Sequence, residues 1–428
     1  MPWYIIPFDE DGNCAGPRTR DRLLDAVAAG DFTDIVVFSH GWNNNWRQAT
    51  ERYEHFFDGT VRMRHERNLP ARLGFKPLLV GIFWPSMLMV GDADRAPEIA
   101  ADIADDDAVE AGWEELHRLS RFVAPGDVPR LFELAQLEEI SEQDALELAA
   151  ILAPLYATDG AETGEPDAPS AAAIVASWRV PPTRRRSSDP ADFGRRTDLP
   201  ADPGGAADPV AAGWLDFLKP TQIIRGASVW LMKDRAGRVG ARGVAPLLAR
   251  LLESDARVHV AGHSFGAKVM LSAIAAPAQL AKPVHSALLL QPAVSHLCFA
   301  ANANGKGRPG GYRSVLDRVG QPILATFSKH DAALTKAFHL ALRRDGDIGE
   351  AEIAADEPPS RYAALGGFGP RPLGVDTALV DVLDPGQRYG LDDAGRQVVG
   401  VRCDRTISDH GDISNPSCWW MLYDLMTR

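Results

Sequence analysis

The feature that most narrows the fold of this chain is a set of short, uninterrupted apolar runs. Ile35-Val36-Val37-Phe38 and Leu288-Leu289-Leu290 show no alternation with polar residues, so a strand built from either must be covered on both faces. That is the condition of a parallel sheet with helices packed on each side. Strands are expected over residues 3–7, 34–39, 77–83, 257–261, 286–291, 322–327 and 397–402. Helical spacing of apolar residues occurs over 47–67, 223–239, 244–253, 267–280 and 417–427. Strand and helix in alternation predict an α/β chain with a mostly parallel central sheet flanked by helices. Chemistry then belongs at the carboxyl ends of the strands.

The alternation stops between residues 87 and 218, which divides the chain into a first core part at 1–86, an insertion at 87–218 and a second core part at 219–428. The insertion begins with acidic stretches of helical period at 98–117 and 128–155. These have apolar faces and are expected to act as a lid over the strand ends. Residues 157–213 are dense in Ala, Pro, Gly, Asp and Arg, a composition that buries little apolar surface and predicts a flexible tether. Asp102 and Asp105-Asp106-Asp107 lack the glycine and terminal glutamate of a calcium loop and read as a solvated helix face. Arg184-Arg185-Arg186 reads as solvated linker.

A net charge of −13 repels phosphate backbones and anionic surfaces, so neither nucleic acid nor stable membrane insertion is expected. No run of about 18 apolar residues occurs. The first residues, Met1-Pro-Trp-Tyr-Ile-Ile-Pro-Phe-Asp, read as an early strand rather than an export signal. Four scattered cysteines without a C-x-x-C pair suit free thiols in a reducing compartment, and a cytoplasmic location is expected. No Cys or His pair has zinc-ligand spacing, so no metal or other cofactor is expected.

The segment that carries chemistry is Val258-His259-Val260-Ala261-Gly262-His263-Ser264-Phe265-Gly266-Ala267-Lys268-Val269. A β-rich run meets Gly-x-Ser-x-Gly and turns directly into an Ala-rich helix, the arrangement of a nucleophile elbow with Ser264 at its tip. A serine hydroxyl is a weak nucleophile without a base and an oxyanion site. The amide of Phe265, at the start of the helix, is one expected oxyanion donor. The second is the amide of Trp42, because the run 35–39 ends in His40-Gly41-Trp42. His40 itself reads as a hydrogen-bonding turn residue. Acid and base should follow the serine in the order Asp or Glu, then His. Asp331 lies just beyond the run 322–327, and His410 lies between the last strand-like run and the final helix. His330, adjacent to Asp331, is poorly placed to face it, and His339 falls inside a helical run.

Taken together, His40-Gly41-Trp42-Asn43-Asn44, Phe83-Trp84-Pro85-Ser86, Gly262-His263-Ser264-Phe265-Gly266 and Ser328-Lys329-His330-Asp331-Ala332-Ala333-Leu334 resemble bacterial α/β-hydrolases of a domain-of-unknown-function type. The resemblance covers the core parts and not 87–218, and Phe265 stands where related enzymes often have Met. It implies the α/β-hydrolase fold and a Ser264, Asp331, His410 triad, and it identifies no substrate. The expected activity is hydrolysis of a small-molecule carboxylic ester through an acyl-enzyme, of the carboxylesterase or lipase kind. A thioesterase, amidase or acyltransferase would use the same triad, and a catalytically silent binding module would share the fold.

Overall fold

The computed structural model describes residues 3–86 apart from 43 and 73, 116–156 apart from 118 and 138–139, 170–178, 231–303, 307–337, 363–391 and 395–428. Eight strands form one sheet in which every pairing is parallel: β1 (Trp3–Pro7), β2 (Asp34–Ser39), β3 (Pro77–Phe83), β4 (Arg257–His263), β5 (Ser286–Leu290), β6 (Ile323–Phe327), β7 (Thr377–Asp381) and β8 (Val398–Arg402). Their order across the sheet is β1-β3-β2-β4-β5-β6-β8-β7. Seven of these strands fall where the apolar runs predict them. The eighth, β7, is an edge strand with Leu379 exposed, so it lacks the two-sided apolar signature.

The period of two along each strand sorts side chains into two cores. Ile35, Val37, Val258, Val260 and Leu289 face one apolar cluster, with helices α1 (Pro17–Ala28), α6 (Ala245–Leu251) and α7 (Phe265–Ala275). Val36, Phe38, Ala261, Leu288 and Leu290 face the other, with α2 (Trp46–Glu66) and the last helix, α8 (Pro416–Thr427). The chain is therefore a helix, sheet, helix sandwich of the α/β class.

The described part of the 87–218 segment, residues 116–156 and 170–178 apart from 118 and 138–139, contributes apolar side chains to the core. Helices α3 (Val128–Ala135) and α4 (Glu142–Tyr156) send Leu131, Leu134, Leu148 and Leu152 into the same continuous cluster as Ile35 and Val80. A short helix, α5 (Ala171–Trp178), stands inside the expected tether and adds buried Ile174 and Val175 to that cluster. Its apolar run AAAIVASW is the local exception to the polar composition around it. Asp102, Asp105 to Asp107 and Arg184 to Arg186 lie outside the described residues, as do 98–115 and His339. No helix among the described residues is long and apolar enough to cross a membrane.

The strand order locates a crevice at one end of the sheet. From β2 the chain moves to β3 on one side, whereas from β4 it moves to β5 on the other, and β2 and β4 are paired neighbours. The connections diverge at their carboxyl ends and leave room there for a ligand.

Candidate active site

Ser264 occupies that divergence. It follows β4 directly and precedes α7, with φ 56° and ψ −125°. A non-glycine residue held in this sparsely populated region stores strain, which persists only when the surroundings fix it. Three hydrogen bonds do so: the Ser264 N–H donates to Leu290 O at 3.0 Å, and its carbonyl accepts from Ala267 N at 3.0 Å and Ala293 N at 3.2 Å. Gly266 lets the first turn of α7 cross the end of β2, since a Cβ there would stand 2.2 Å from Ser39 O.

The loop from β8 to α8 brings His410 to this serine. It is organised by its own side chains: Ser408 donates its N–H and its hydroxyl to Asp412, the Gly411 N–H donates to Asp409, and Asn415 Nδ2 donates to Thr406 O and Asp412 O. His410 Nε2 lies 2.8 Å from Ser264 Oγ, and His410 Nδ1 lies 2.7 Å from Asp331 Oδ2. The carboxylate can only accept, so Nδ1 carries the proton and Nε2 presents its lone pair to the serine hydroxyl. Asp331 is fully buried, whereas the His410 side chain remains 20% exposed, which leaves its imidazole open to solvent on one side.

A second set of residues holds Asp331, and the sequence does not announce it. Asp331 Oδ1 accepts from Leu334 N at 3.0 Å, and Oδ2 also accepts from Gln291 Nε2 at 2.9 Å. Gln291 is itself at φ 43° and is oriented by Thr326, whose hydroxyl donates to Gln291 Oε1 at 3.1 Å and accepts the Gln291 N–H at 2.8 Å. Only the pairing of β5 with β6 brings these residues together. The available signal is a lone polar residue closing the apolar strand Ser286–Leu290.

The His40-Gly41-Trp42 turn packs directly on Ser264, because a Cβ on Gly41 would lie 2.7 Å from Ser264 Cβ. The rings of Trp42 and Phe265 stand 6.3 Å apart, and Phe265 is the first residue of α7. His40 supports this turn and takes no part in the hydrogen-bonded line from serine to acid. Its Nδ1–H donates to Gly41 O at 2.8 Å, its Nε2 accepts from Trp84 N at 3.3 Å, and its ring stacks on Trp84 at 5.6 Å. Burial lowers its pKa to about 3, so it stays neutral. Ser86 pins the far end of the turn by accepting from Asn44 N and donating to Asn44 O. The Trp-Pro-Ser segment thus props the loop that follows β2. His330 is exposed, and its N–H donates to Ser328 Oγ at 3.2 Å.

No disulfide joins the four cysteines, and no cluster of metal-ligating side chains occurs among the described residues. Scans against protein-family models, curated proteins and solved structures each return no match.

Proposed function

We propose that this chain is a serine hydrolase of the α/β-hydrolase fold that cleaves a carboxylic ester. The observation that carries the reading is the continuous hydrogen-bonded line from a strained, helix-initiating Ser264 through His410 to a buried Asp331. Strand, serine turn and helix follow one another as in a nucleophile elbow, and the chain order Ser, Asp, His is that of α/β-hydrolases.

In this mechanism Ser264 Oγ attacks the ester carbonyl carbon while His410 Nε2 takes its proton. Asp331 keeps the imidazole in the required tautomer and stabilises the imidazolium that forms. The negative charge on the carbonyl oxygen is held by the amides of Trp42 and Phe265, each worth about 2.7–4 kcal/mol of barrier lowering in comparable sites. Collapse expels the alcohol, which receives the proton from His410. Water then attacks the acyl-enzyme with the same base, releasing the carboxylic acid and restoring Ser264.

The insertion bears on the acyl side of this site. Its described helices share one apolar cluster with Phe265, the residue after Ser264, and Leu334, three residues beyond Asp331. Substitutions there, such as Leu148→Ala, are expected to shift chain-length preference together with stability. The direct test is hydrolysis of a series of 4-nitrophenyl esters by the purified protein. Turnover that disappears in Ser264→Ala supports the reading, and an inert wild-type protein overturns it.

A further inference from the structure

The loop that carries His410 is gripped by its main-chain carbonyls, and each grip comes from a different part of the site. Ser328 Oγ, three residues before the acid, donates to Ile407 O at 2.9 Å. His263 Nε2, adjacent to the nucleophile, lies 2.8 Å from His410 O. Arg52 Nη1 donates to Gly411 O at 3.3 Å, while its Nε reaches Asn44 Oδ1 at 3.4 Å in the segment after the Trp42 turn. Three donors thus hold the base loop to the acid loop, the nucleophile strand and the oxyanion turn.

The shortest of these contacts is the one from His263. A carbonyl oxygen only accepts, so His263 must carry its proton on Nε2, and Nδ1 is left as a bare lone pair. That nitrogen is buried and has no hydrogen-bond partner among the described residues. It faces the Gly41 turn, where a Cβ would stand 3.0 Å away. Leaving a buried acceptor unsatisfied is unfavourable, and an apolar side chain at position 263 would avoid it. What the imidazole supplies in return is a donor aimed at the backbone of the base itself. The His263 and His410 rings stand 5.0 Å apart. Burial and the nearby charge of Arg52 hold the His263 pKa well below its ordinary value, so the ring stays uncharged beside an imidazolium forming on His410.

We infer that His263 is a positioning residue for the reaction: through its Nε2–H it fixes the main chain of His410, and so sets the reach of that imidazole to Ser264 and Asp331. The inference rests on the hydrolase reading above. His410 spans two hydrogen bonds of 2.7 and 2.8 Å at once, so a small displacement of its backbone lengthens one or both.

An isopolar pair of variants isolates the donor. The amide nitrogen of glutamine can replace His Nε2, whereas that of asparagine reaches only as far as Nδ1. His263→Gln should keep kcat for 4-nitrophenyl acetate within about threefold of wild type. His263→Asn should lose up to about 100-fold in kcat, with KM changed less than about twofold. The rate of Ser264 labelling by a fluorophosphonate should fall in parallel, with thermal midpoints of the two variants alike. Equal kcat in the Gln and Asn variants would overturn the inference. A wild-type protein that never labels would instead overturn the hydrolase reading, and the inference with it. If His263→Asn does not fold, Arg52→Gln tests the neighbouring grip from the partly exposed side. Slower labelling at unchanged KM is expected there, and labelling at the wild-type rate counts against a base held by its carbonyls.

Discussion

Two lines of serine, histidine and aspartate lie in this molecule, one at each end of the strands. At the carboxyl ends stand Ser264, His410 and Asp331. At the amino ends, Ser286 Oγ lies 2.7 Å from His259 Nδ1, and His259 Nε2 lies 3.1 Å from Asp34 Oδ1. Residue types and distances are nearly the same, yet the surroundings differ in every respect that matters to catalysis. Ser286 sits in regular strand paired directly with His259, so no helix amide follows it. Its neighbours Asp34 and His259 are fully buried, and no side of that imidazole remains open as it does at His410. Asp34 also receives Arg257 and Arg72, each at 2.7 Å, and the Thr33 hydroxyl. Its charge is already neutralised and cannot be turned toward a forming imidazolium. A hydrogen-bonded triplet becomes a candidate for catalysis through its backbone, by the strained turn, the helix start and the crevice beside it. Without those it is a clasp.

The sharpest way to separate the two lines is to remove each serine hydroxyl. Ser264→Ala should lower kcat by about a million-fold without loss of the fold, while Ser286→Ala should leave kcat unchanged. Steady-state kinetics on a 4-nitrophenyl ester reads both. Loss of turnover in Ser286→Ala at full thermal stability would break the contrast.

Next in size is the acid. Asp331→Asn should cost about 10⁴-fold in kcat by favouring the wrong tautomer of His410. Adding His410→Ala should lower the rate little further, because members of one line act together. Multiplicative losses in the double variant would speak against a shared line.

Gln291→Ala and Thr326→Val probe the support of that acid, and each should lower kcat by up to about 100-fold through displacement of Asp331. The counterpart at the amino end is Asp34→Ala. It should leave kcat per folded molecule unaltered and cost about 3–5 kcal/mol of stability, because it strands Arg257 and Arg72 beside His259. Denaturant titration monitored by tryptophan fluorescence gives that figure, and an unchanged midpoint would contradict the clasp.

The acid side of the stability profile has a sign fixed by the same cluster. Burial pushes the Asp34 carboxyl up, but hydrogen bonds from His259 and Thr33 and the charge of Arg257 outweigh it and hold the pKa at about 2. The stability this carboxylate contributes is fully present above the unfolded value of about 3.9 and is lost as the pH falls through about 2. Burial also lowers the His259 pKa, against the pull of Asp34, so the unfolded chain binds that proton more readily below about pH 6.5. Both groups weaken the fold in acid, so the denaturation midpoint of the wild-type protein should fall steadily as the pH drops from about 6.5 toward 2.

What could be read from the residues follows this division. The strands of the interior declare themselves as continuous apolar runs, and the elbow declares itself because its chemistry is local: strand, Gly-x-Ser-x-Gly and helix lie within a dozen residues. Asp331 and His410 are legible by chain order and by their places after strand-like runs. Gln291 with Thr326, and the clasp of Asp34, His259 and Ser286, are not. Their residues meet only through the pairing of strands far apart in sequence, and nothing local marks them. Helix α5 was hidden for a different reason, since eight mostly apolar residues are outweighed by the polar composition around them. The grips on the base loop end on backbone carbonyls, which no side-chain pattern records.

We propose above that Ser264 is an activated nucleophile. It is tested most directly by treating the folded protein with a fluorophosphonate and locating the adduct by peptide mass mapping. A single adduct on Ser264, absent from Ser264→Ala and still formed in Ser286→Ala, is the expected result. No adduct on the folded wild-type protein, or an adduct that persists in Ser264→Ala, would contradict the account.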